Sequence, residues 1–476
     1  MKCLVSLIIL FASIALGSTA SSNTDPAKYD SQDVIYRDVV VVGGGSSGVY
    51  SSMRLRDHGK TVMIIEKKAM LGGHAEAWVD PLSGTPVDMG VAVFANMTTV
   101  IDYFARFNLS LAPMPSAGIA PTYVDFNTGK KANFTDPDIA AFDAALDGYL
   151  AQLNQYPELQ DSFNMTYPVH PDLLLSFGDF VAKYELQGLV SRVFLFNQGA
   201  APLLNISMLY IFKYLNSDQV NSFKNGYLIV NHHSATELYR RAAESLGPDV
   251  LFNSTVTGMD RSLTQEVHVA VSTPEGPKLV IAKKLLSSIP PILDNLGGYD
   301  LSTNETDLFG QFIVNGYYTG VLNNTGFGPG ALFANHRSGQ PYGVPELPGI
   351  YTMPPSPLPD NRSVTNVYYG SPNVLADEQV KNDIVKAVQR YQAENGLPIT
   401  EPDWLKFSSH APFNLMVPND KIADGFYSEL FCLQGQRNTF YNGAAWHAQD
   451  SSVLWRFTDT YIIPILLASM QEEVPE

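Results

Sequence analysis

Two short apolar runs lie near the start of the chain, with a segment of helical pattern between them. The first run, residues 39–42, is an unbroken series of valines, which is typical of a strand buried on both faces. Residues 47–58 have a helical pattern that ends at Gly59, and residues 61–65 form a second apolar run. This order of strand, helix and strand predicts a unit of a doubly wound α/β sheet.

Three glycines stand in G-x-G-x-x-G spacing directly after the first predicted strand: Gly43, Gly45 and Gly48. Gly43 permits a tight turn, Gly45 leaves room for a pyrophosphate, and Gly48 lets the helix pack on the strand. The helix start at Ser46 and Ser47 would present free N–H groups to phosphates. The motif and its context predict a dinucleotide site, whereas a plain glycine-rich turn is the structural alternative.

An acid closes the second predicted strand. Glu66 lies 23 residues after Gly43, where a carboxylate accepts hydrogen bonds from a ribose. Lys67 follows it and is included among the candidate cofactor residues.

The rest of the chain changes character twice. Residues 111–221 contain a hairpin signal and then mostly helical patterns, and within them Asn197 and Gln198 end an apolar run. Residues 299–429 are rich in Tyr, Val and Phe and are broken by many prolines and glycines, which favours a sheet. The segments between and after them, 222–298 and 430–474, return to an α/β pattern.

Several further motifs resemble those of the flavin amine oxidase and phytoene desaturase superfamily, and above all its β-cyclopiazonate dehydrogenase-like flavoproteins. Residues 70–74 (MLGGH) resemble a second glycine pair, with His74 where the family usually has Arg, and residues 87–90 (VDMG) resemble the next motif. Residues 430–457 resemble the final motif, in which a helix start points at the flavin ring.

The resemblance implies FAD as a resident cofactor. It also implies a Rossmann-like FAD-binding domain, residues 36–110, 222–298 and 430–474, with an inserted α+β substrate domain, residues 111–221 and 299–429. The further cofactor-binding residues that it implies are Gly72, Gly73, His74, Gly90, Val256, Gly435, Gly443, Ala444 and Ala445. Within the final motif, we expect a strand that ends at Gly435 and a helix that starts at Gly443.

Composition narrows the class of protein. The chain has 476 residues, 45% of them hydrophobic, so it can bury a large core. Its formal charge of −17 argues against a nucleic-acid partner, because phosphate binding needs a basic surface. We expect neither a metal site nor a stable membrane span, and the oligomeric state stays open.

The N-terminus and the glycosylation sequons indicate the secretory pathway. Residues 1–20 have a positive start, a short apolar stretch and a small-residue cleavage site, as in a signal peptide; an uncleaved anchor is the alternative. We expect no internal disulfide and a buried thiol at Cys432, and we expect Asn96 to be buried. The sequons lie at Asn96, Asn108, Asn133, Asn164, Asn205, Asn253, Asn304, Asn323 and Asn361.

Two histidines are the candidate acid–base residues. His410 precedes a proline-containing turn, and His447 follows the final motif, where a plain helix-surface histidine is the alternative. Adjacent histidines at 232 and 233 point to opposite faces of a strand, which disfavours a metal site.

The sequence therefore predicts an FAD-dependent oxidoreductase that removes a hydride from a hydrophobic small molecule. Desaturation or oxidative cyclisation in secondary metabolism is the expected reaction. A general amine oxidase and a non-enzymatic secreted flavin-binding glycoprotein are the two alternatives.

Overall fold

The computed structural model describes residues 23–115, 120–163, 165–232, 234–360 and 362–471. The predicted signal peptide, Asn164, His233 and Asn361 lie outside these residues.

Short strands from all parts of the chain build the sheets. In chain order they are β1 (Val34–Val42), β2 (Val62–Ile65), β3 (Ala77–Val79), β4 (Pro86–Asp88), β5 (Leu111–Pro113), β6 (Thr122–Asp125), β7 (Lys130–Lys131), β8 (Leu228–Val230), β9 (Val250–Leu251), β10 (Thr255–Asp260), β11 (Val267–Thr273), β12 (Gly276–Ser287), β13 (Ile313–Val314), β14 (Gly316–Asn323), β15 (Phe333–Asn335), β16 (Gly349–Met353), β17 (Thr365–Ser371), β18 (Asp403–Ser409), β19 (Leu415–Met416) and β20 (Thr439–Tyr441).

Helices cover these sheets and fill the space between them. They are α1 (Ser46–Asp57), α2 (Thr98–Arg106), α3 (Ile139–Leu153), α4 (Phe177–Lys183), α5 (Val190–Phe196), α6 (Met208–Tyr214), α7 (Ser217–Asn225), α8 (Thr236–Leu246), α9 (Thr303–Phe309), α10 (Asp377–Glu394), α11 (Asn419–Ala423), α12 (Phe426–Phe431), α13 (Ser451–Phe457) and α14 (Ile463–Gln471).

The two main sheets have seven strands each, and the first has the strand order β10-β11-β12-β1-β2-β9, with β20 paired to β12. Strands β12, β1, β2 and β9 run parallel, and β10 and β11 add an antiparallel extension. The valines of β1 are almost fully buried, as the unbroken apolar run predicts. This sheet confirms the predicted Rossmann-like α/β fold.

Strand β12 is longer than its sequence pattern suggests. The apolar runs 279–282 and 285–289 predict two separate strands, but residues 276–287 form one strand. Its first half pairs with β11 and its second half with β20, so this strand joins the final motif to the sheet.

The second main sheet has the strand order β18-β14-β17-β16-β15-β6-β7. The predicted hairpin is formed by β6 and β7, and α10 packs its apolar stripe of Val380, Ile384 and Val388 against this sheet. The sheet lies within the residues expected to form the substrate domain. The exact domain boundaries stay a prediction.

The start of the final motif differs from the expectation. Residues 430–434 complete the helical turn of α12 instead of forming a strand, and β20 comes only after Gly435. Leu430, Phe431 and Leu433 are buried, and their spacing fits a helix face as well as a strand. A short apolar run in the sequence therefore does not distinguish a helix from a strand.

Two smaller expectations are also wrong. The pattern of residues 98–107 predicts a helix with Ile101, Phe104 and Ala105 on its apolar face, but α2 buries Val100, Tyr103 and Phe104, and Ile101 is exposed. Cys432 is partly exposed and is not a free thiol in the structure, where we expected a buried thiol; the expectation of no internal disulfide is for the chain without the leader that carries Cys3, and residue 3 lies outside the described residues.

A buried ion network fixes β20 in place. Arg261 is almost fully buried; its Nε lies 2.7 Å from Asp300 Oδ1, and its Nη1 lies 2.6 Å from Glu305 Oε1. The hydroxyl of Tyr441, on β20, donates to the same glutamate. Because a buried charge without its partner is strongly destabilising, this network holds the chain that leads into the final motif.

The helical run Ser451–Gln471 is, within the described ranges, the one segment long and apolar enough to cross a membrane. Of its most apolar window, 44% is buried inside the protein.

Candidate functional site

The turn between β1 and α1 has the geometry that the glycine motif predicts. Gly43 has a φ of +102° and donates from its N–H to Ile65 O at 2.9 Å. A Cβ built on Gly48 would overlap the carbonyl oxygen of Gly43. The turn therefore excludes any larger residue at position 48, and α1 starts directly after Gly45.

The second glycine pair lies against this turn. Gly72 donates from its N–H to Gly44 O at 2.8 Å, and Gly45 and Gly72 form an isolated β-bridge. The nearest atom to a Cβ built on Gly45 is Gly73 Cα, 3.9 Å away, so this face of the backbone is bare. A bare backbone next to a helix N-terminus is what a pyrophosphate requires.

Glu66 is buried at the end of β2, with 6% of its surface exposed. Its Oε2 accepts the N–H of Gly44 at 2.7 Å, and its Oε1 accepts the N–H of Lys68 at 2.7 Å. The backbone oxygen of Glu66 accepts the N–H of Ser254 at 2.9 Å, which brings the start of β10 and Val256 to the same edge. We call the 43–48 turn, Gly72, Gly73 and Glu66 the nucleotide cradle.

Of the two adjacent lysines, the structure brings the second to the cradle. Lys67 is exposed, whereas the Nζ of Lys68 lies 3.1 Å from Gly73 O and forms an ion pair with Glu76. The sequence analysis named Lys67 and missed Lys68. Nothing in their spacing distinguishes the two, because Glu76, the partner of Lys68, belongs to a later segment.

The final motif reaches the cradle through Gly443. This residue has a φ of +118°, and a Cβ built on it would lie 3.5 Å from Ser288 O and 3.7 Å from Ser47 Oγ. Gly435 lies further away along the chain, in a turn where its N–H donates to Thr439 O at 2.8 Å. Gly443 thus meets the first glycine motif, while the observed contacts of Gly435 belong to the turn before β20.

The helix that we expected to start at Gly443 begins later. Ala444, the buried Ala445 and Trp446 form a single 3-10 turn, and the helical run starts at Ser451. Ser46 Oγ donates to Ser451 Oγ at 2.9 Å, so the helix start still lies beside the start of α1. The positive end of this helix therefore lies about two turns further along the chain than the motif predicts.

Asn442 was missed by the sequence analysis. It is almost fully buried, and its amide nitrogen donates to Ser51 Oγ at 3.0 Å and to Thr458 Oγ1 at 2.8 Å. These bonds link the final motif to α1 and to the turn after α13. Its place directly before Gly443 is the one sequence signal that marks it.

His74, Gly90 and His410 come together beside the cradle. The rings of His74 and His410 stack with centroids 4.7 Å apart. A Cβ built on Gly90 would overlap the carbonyl oxygen of His74 and would lie 2.9 Å from His410 Cε1. This close approach explains the glycine in the 87–90 motif.

Both stacked imidazoles are neutral at physiological pH. Burial lowers the pKa of His74 to about 4 and the pKa of His410 well below its ordinary value. His410 Nε2 is buried without a hydrogen-bond partner among the described residues, so it offers either a lone pair or an N–H to a bound group. Phe413 and Tyr317 pack beside the pair, and Tyr317 donates to Gln198 Oε1 at 2.7 Å.

His447 lies in a different place, in the wall of an adjacent pocket. Ala444 and Asn197 line the same pocket, together with Lys213 from α6 and Asn414. Its helix-surface alternative is wrong, because only 2% of His447 is exposed. The two candidate histidines therefore belong to two neighbouring sites.

The residues present fit FAD. The bare backbone at Gly45, the carboxylate of Glu66 and the uncrowded approach of Gly443 form one continuous cradle. His410 Nε2, with its unused hydrogen-bonding capacity, lies at the end where the 74–90 motifs meet. Within the part of the chain that the structure describes, no group of three or more His, Cys, Asp or Glu is arranged to hold a metal ion.

Comparison with known proteins agrees with this geometry. Residues 47–291 match the family model of the flavin containing amine oxidoreductases. The protein named FAD-dependent oxidoreductase oblC, from Cochliobolus heterostrophus, is 39% identical over 99% of this chain and 100% of its own length. The β-cyclopiazonate dehydrogenase of Aspergillus oryzae is 32% identical over 90% of this chain and 93% of its own.

Solved structures show the same fold at low sequence identity. A fatty acid isomerase from P. acnes superposes with a TM-score of 0.72 at 16% identity, covering 90% of this chain and 98% of its own. A triple mutant of putrescine oxidase superposes with a TM-score of 0.64 at 15% identity, covering 91% of this chain and 100% of its own. The cradle, the sheet and these matches together show that the chain belongs to the family of flavin-containing amine oxidoreductases.

Proposed function

We propose that this FAD-dependent oxidoreductase removes a hydride from an apolar small molecule, by desaturation or oxidative ring closure, in secondary metabolism. The observation that carries the proposal is the convergence of three distant segments on one cradle beside a mostly apolar pocket. The relatives support the reaction class, because one is named a dehydrogenase of β-cyclopiazonate.

The cradle holds the cofactor by its backbone. The N–H groups at the start of α1 would bind the pyrophosphate, and Glu66 would accept the ribose hydroxyls. Gly443 and the start of the final helical run approach the other end. When bound, FAD supplies an acceptor for two electrons and a hydride.

The pocket wall excludes water from the reacting carbon. Phe163, Ile211, Leu415 and Met416 supply apolar surface from four separate segments. A cation that forms when a hydride leaves is attacked by water unless the site is dry. The apolar part of this wall therefore favours loss of a proton or ring closure over hydration.

His410 is the candidate proton acceptor beside the cradle. Its burial keeps the imidazole neutral, and Nε2 has no partner among the described residues. In the tautomer that leaves a lone pair on Nε2, the neutral imidazole takes up a proton when the substrate develops positive charge. His74 stacks against it and holds the ring in place.

The family membership bears differently on the two alternative functions, a non-enzymatic binding protein and a general amine oxidase. Membership of an oxidoreductase family removes the support for a non-enzymatic binding protein. A general amine oxidase is the second candidate, and Tyr317 and Phe413, which pack together beside His410, are the aromatic side chains that favour it.

Anaerobic stopped-flow spectroscopy tests the proposed reaction. Metabolites made by the enzymes that neighbouring genes encode are mixed with the holoenzyme, and the absorbance of the flavin is followed. A true substrate should bleach the flavin, and deuterium at the oxidised carbon should slow that bleaching. A substrate that turns over without ever reducing the flavin contradicts the proposal.

We also propose that the protein is secreted or resides in the lumen of the secretory pathway. The predicted leader supports this, and so does the exposure of every sequon asparagine that the structure describes, namely Asn96, Asn108, Asn133, Asn205, Asn253, Asn304 and Asn323. Asn96 was expected to be buried, and that expectation is wrong.

Intact mass before and after glycosidase treatment tests this location. We expect a chain that starts near residue 21 and loses mass when glycans are removed. A retained N-terminal methionine together with no mass shift contradicts the proposal.

A further inference from the structure

Two buried basic side chains from distant segments line one pocket. Lys213, on α6, is 1% exposed, and His447, after the 3-10 turn of the final motif, is 2% exposed. Asn197 and Asn414 are the neighbouring amides, and the remaining wall is mostly apolar. We call this site the base pocket.

Lys213 is held by backbone oxygens. Its Nζ donates to Leu159 O at 2.7 Å and to Ser162 O at 2.9 Å, and it lies 5.0 Å from the centre of the Phe163 ring. Among the described residues it forms no ion pair, and burial lowers its pKa well below the ordinary value. An anion in the pocket would supply the missing negative charge.

One hydrogen bond of His447 fixes the tautomer of its ring. Nε2 lies 3.2 Å from Gln160 O, and because a carbonyl oxygen only accepts, Nε2 carries the hydrogen. Burial, followed by the charges of Lys213 and Arg456, lowers the pKa of His447 well below its ordinary value. The ring is therefore neutral, and Nδ1 is a bare acceptor.

Nδ1 of His447 has no hydrogen-bond partner among the described residues. A buried acceptor of this kind is unfavourable unless a ligand satisfies it. The group that satisfies it must donate a hydrogen bond. The bare nitrogen therefore points to an O–H or N–H donor in the pocket.

The charged groups around the pocket favour an acidic donor. Arg456, on α13, pairs with Asp161 at 3.2 Å and with Asp218, so those two carboxylates are engaged outside the pocket. From α6, Tyr210 and Tyr214 face the pocket, and burial raises the pKa of both. The partly buried Asp450, next to the pocket residue Gln449, accepts hydrogen bonds from the side chain of Gln219 and the N–H of Val453. Among the described residues no carboxylate lines the pocket itself, so the side chains around it favour the anionic form of a bound acid.

We propose that the base pocket, a cavity of about 40 Å³, takes the weakly acidic O–H end, an enol or a phenol, of an otherwise apolar substrate. The O–H bond breaks as its proton passes to His447 Nδ1, and the oxygen keeps the electron pair as an anion. The attraction between this anion and the imidazolium offsets the burial and the Lys213 charge that lower the pKa of His447 when no ligand is bound. This anion and the ammonium of Lys213, which forms no ion pair among the described residues, stabilise each other, and the anion offsets the burial that lowers the pKa of Lys213. The inference rests on the proposed function in one respect, namely that the bound ligand is the substrate of the oxidation.

Such an anion would assist hydride removal. When the oxyanion is conjugated with the reacting carbon, the hydrogen on that carbon leaves more easily as a hydride. FAD, when bound, would supply the acceptor for this hydride. The substrate thus loses one proton at oxygen and one hydride at carbon, and a new double bond forms. His447 then acts as the proton acceptor of the reaction.

The binding of 4-nitrophenol to the holoenzyme tests the inference without any turnover. Its methyl ether, 4-nitroanisole, has the same shape but no acidic hydrogen and serves as the matched ligand. Difference spectra against holoenzyme alone should show the phenolate band of bound 4-nitrophenol at a pH at which the free probe is still protonated. The ether should bind about tenfold more weakly, which corresponds to about 1.4 kcal/mol.

Two variants separate the roles of the side chain. His447→Asn keeps an acceptor near the position of Nδ1 but takes up no proton, so affinity for the phenol should persist while the phenolate band is lost. His447→Phe removes both the hydrogen-bond acceptor and the proton acceptor, and the phenol should then bind no better than the ether. FAD content, measured from flavin absorbance, shows whether each variant is folded, and if the phenylalanine variant lacks FAD, the asparagine variant decides.

Equal affinity of wild-type holoenzyme for phenol and ether would overturn the inference. So would a phenolate band that persists in His447→Asn. Neither result depends on flavin reduction. Failure of the base pocket and failure of the proposed oxidation are therefore distinguishable.

Discussion

The nucleotide cradle and the base pocket lie side by side, yet the chain builds them in opposite ways. Residues 43–73 supply the glycines and Glu66 of the cradle, and the backbone forms most of its surface. The base pocket draws single side chains from near residues 163, 197, 213, 414 and 447. A ligand common to a whole family is held by backbone, whereas the ligand of one enzyme is selected by side chains.

The largest effect should come from a Cβ in the cradle. Gly48→Ala forces a methyl group into the carbonyl oxygen of Gly43, so α1 must shift and the phosphate site is lost. We expect no FAD in the purified variant, as measured by absorbance after denaturation. Gly59→Ala is the control at the other end of α1, where open space surrounds the glycine but φ is +71°; it should lower stability by about 1 kcal/mol and retain FAD.

A smaller effect should follow from loss of the cradle carboxylate. Glu66→Ala removes the acceptor for the ribose and leaves the N–H groups of Gly44 and Lys68 without their partner. We expect FAD affinity to fall by about 1–3 kcal/mol in a fluorescence titration of apoprotein. The exposed ion-pair residue Glu244 provides the control, Glu244→Ala; an unchanged affinity in Glu66→Ala would refute the ribose role.

The smallest effect is a dependence of stability on pH at the histidine pair. The folded pKa values of His74 and His410 lie below the ordinary value, so their contribution to stability is present above about pH 6.5. As the pH falls from about 6.5 towards 4, the unfolded chain binds protons that the folded chain does not, and stability is lost. Each histidine contributes at most about 1.4 kcal/mol per pH unit.

Urea unfolding between pH 7 and pH 5 measures this slope. His410→Phe keeps an aromatic ring beside Phe413 and should make the slope shallower. His58→Asn, at the exposed end of α1, is the surface control. A slope equal to that of wild type in His410→Phe would contradict the assignment.

The sequence predicts those structural elements that depend on residues close together in the chain. The strand, turn and helix around Gly43 and Gly48 follow from local sterics, and the structure confirms the elements. The role of Lys68 could not be predicted, because it depends on Glu76 and on the backbone of Gly73. Lys213 was missed for the same reason, since an apolar helix gives no sign that its one lysine points inwards.

The final motif shows where the resemblance stops being informative. Its glycine, Gly443, meets the cradle, but the strand before it and the helix after it start at other residues. Tertiary contacts decide those boundaries: β20 is fixed by the second half of β12 and by the buried Arg261 network. Neither contact can be read from the motif itself.

The most direct test of the central claim is the identity and amount of the cofactor that the purified protein releases on denaturation. The account predicts a yellow protein that releases FAD, at about one molecule per chain, and no NAD, because one cradle of backbone and Glu66 holds it. A folded, colourless protein that cannot be reconstituted with FAD would contradict the account.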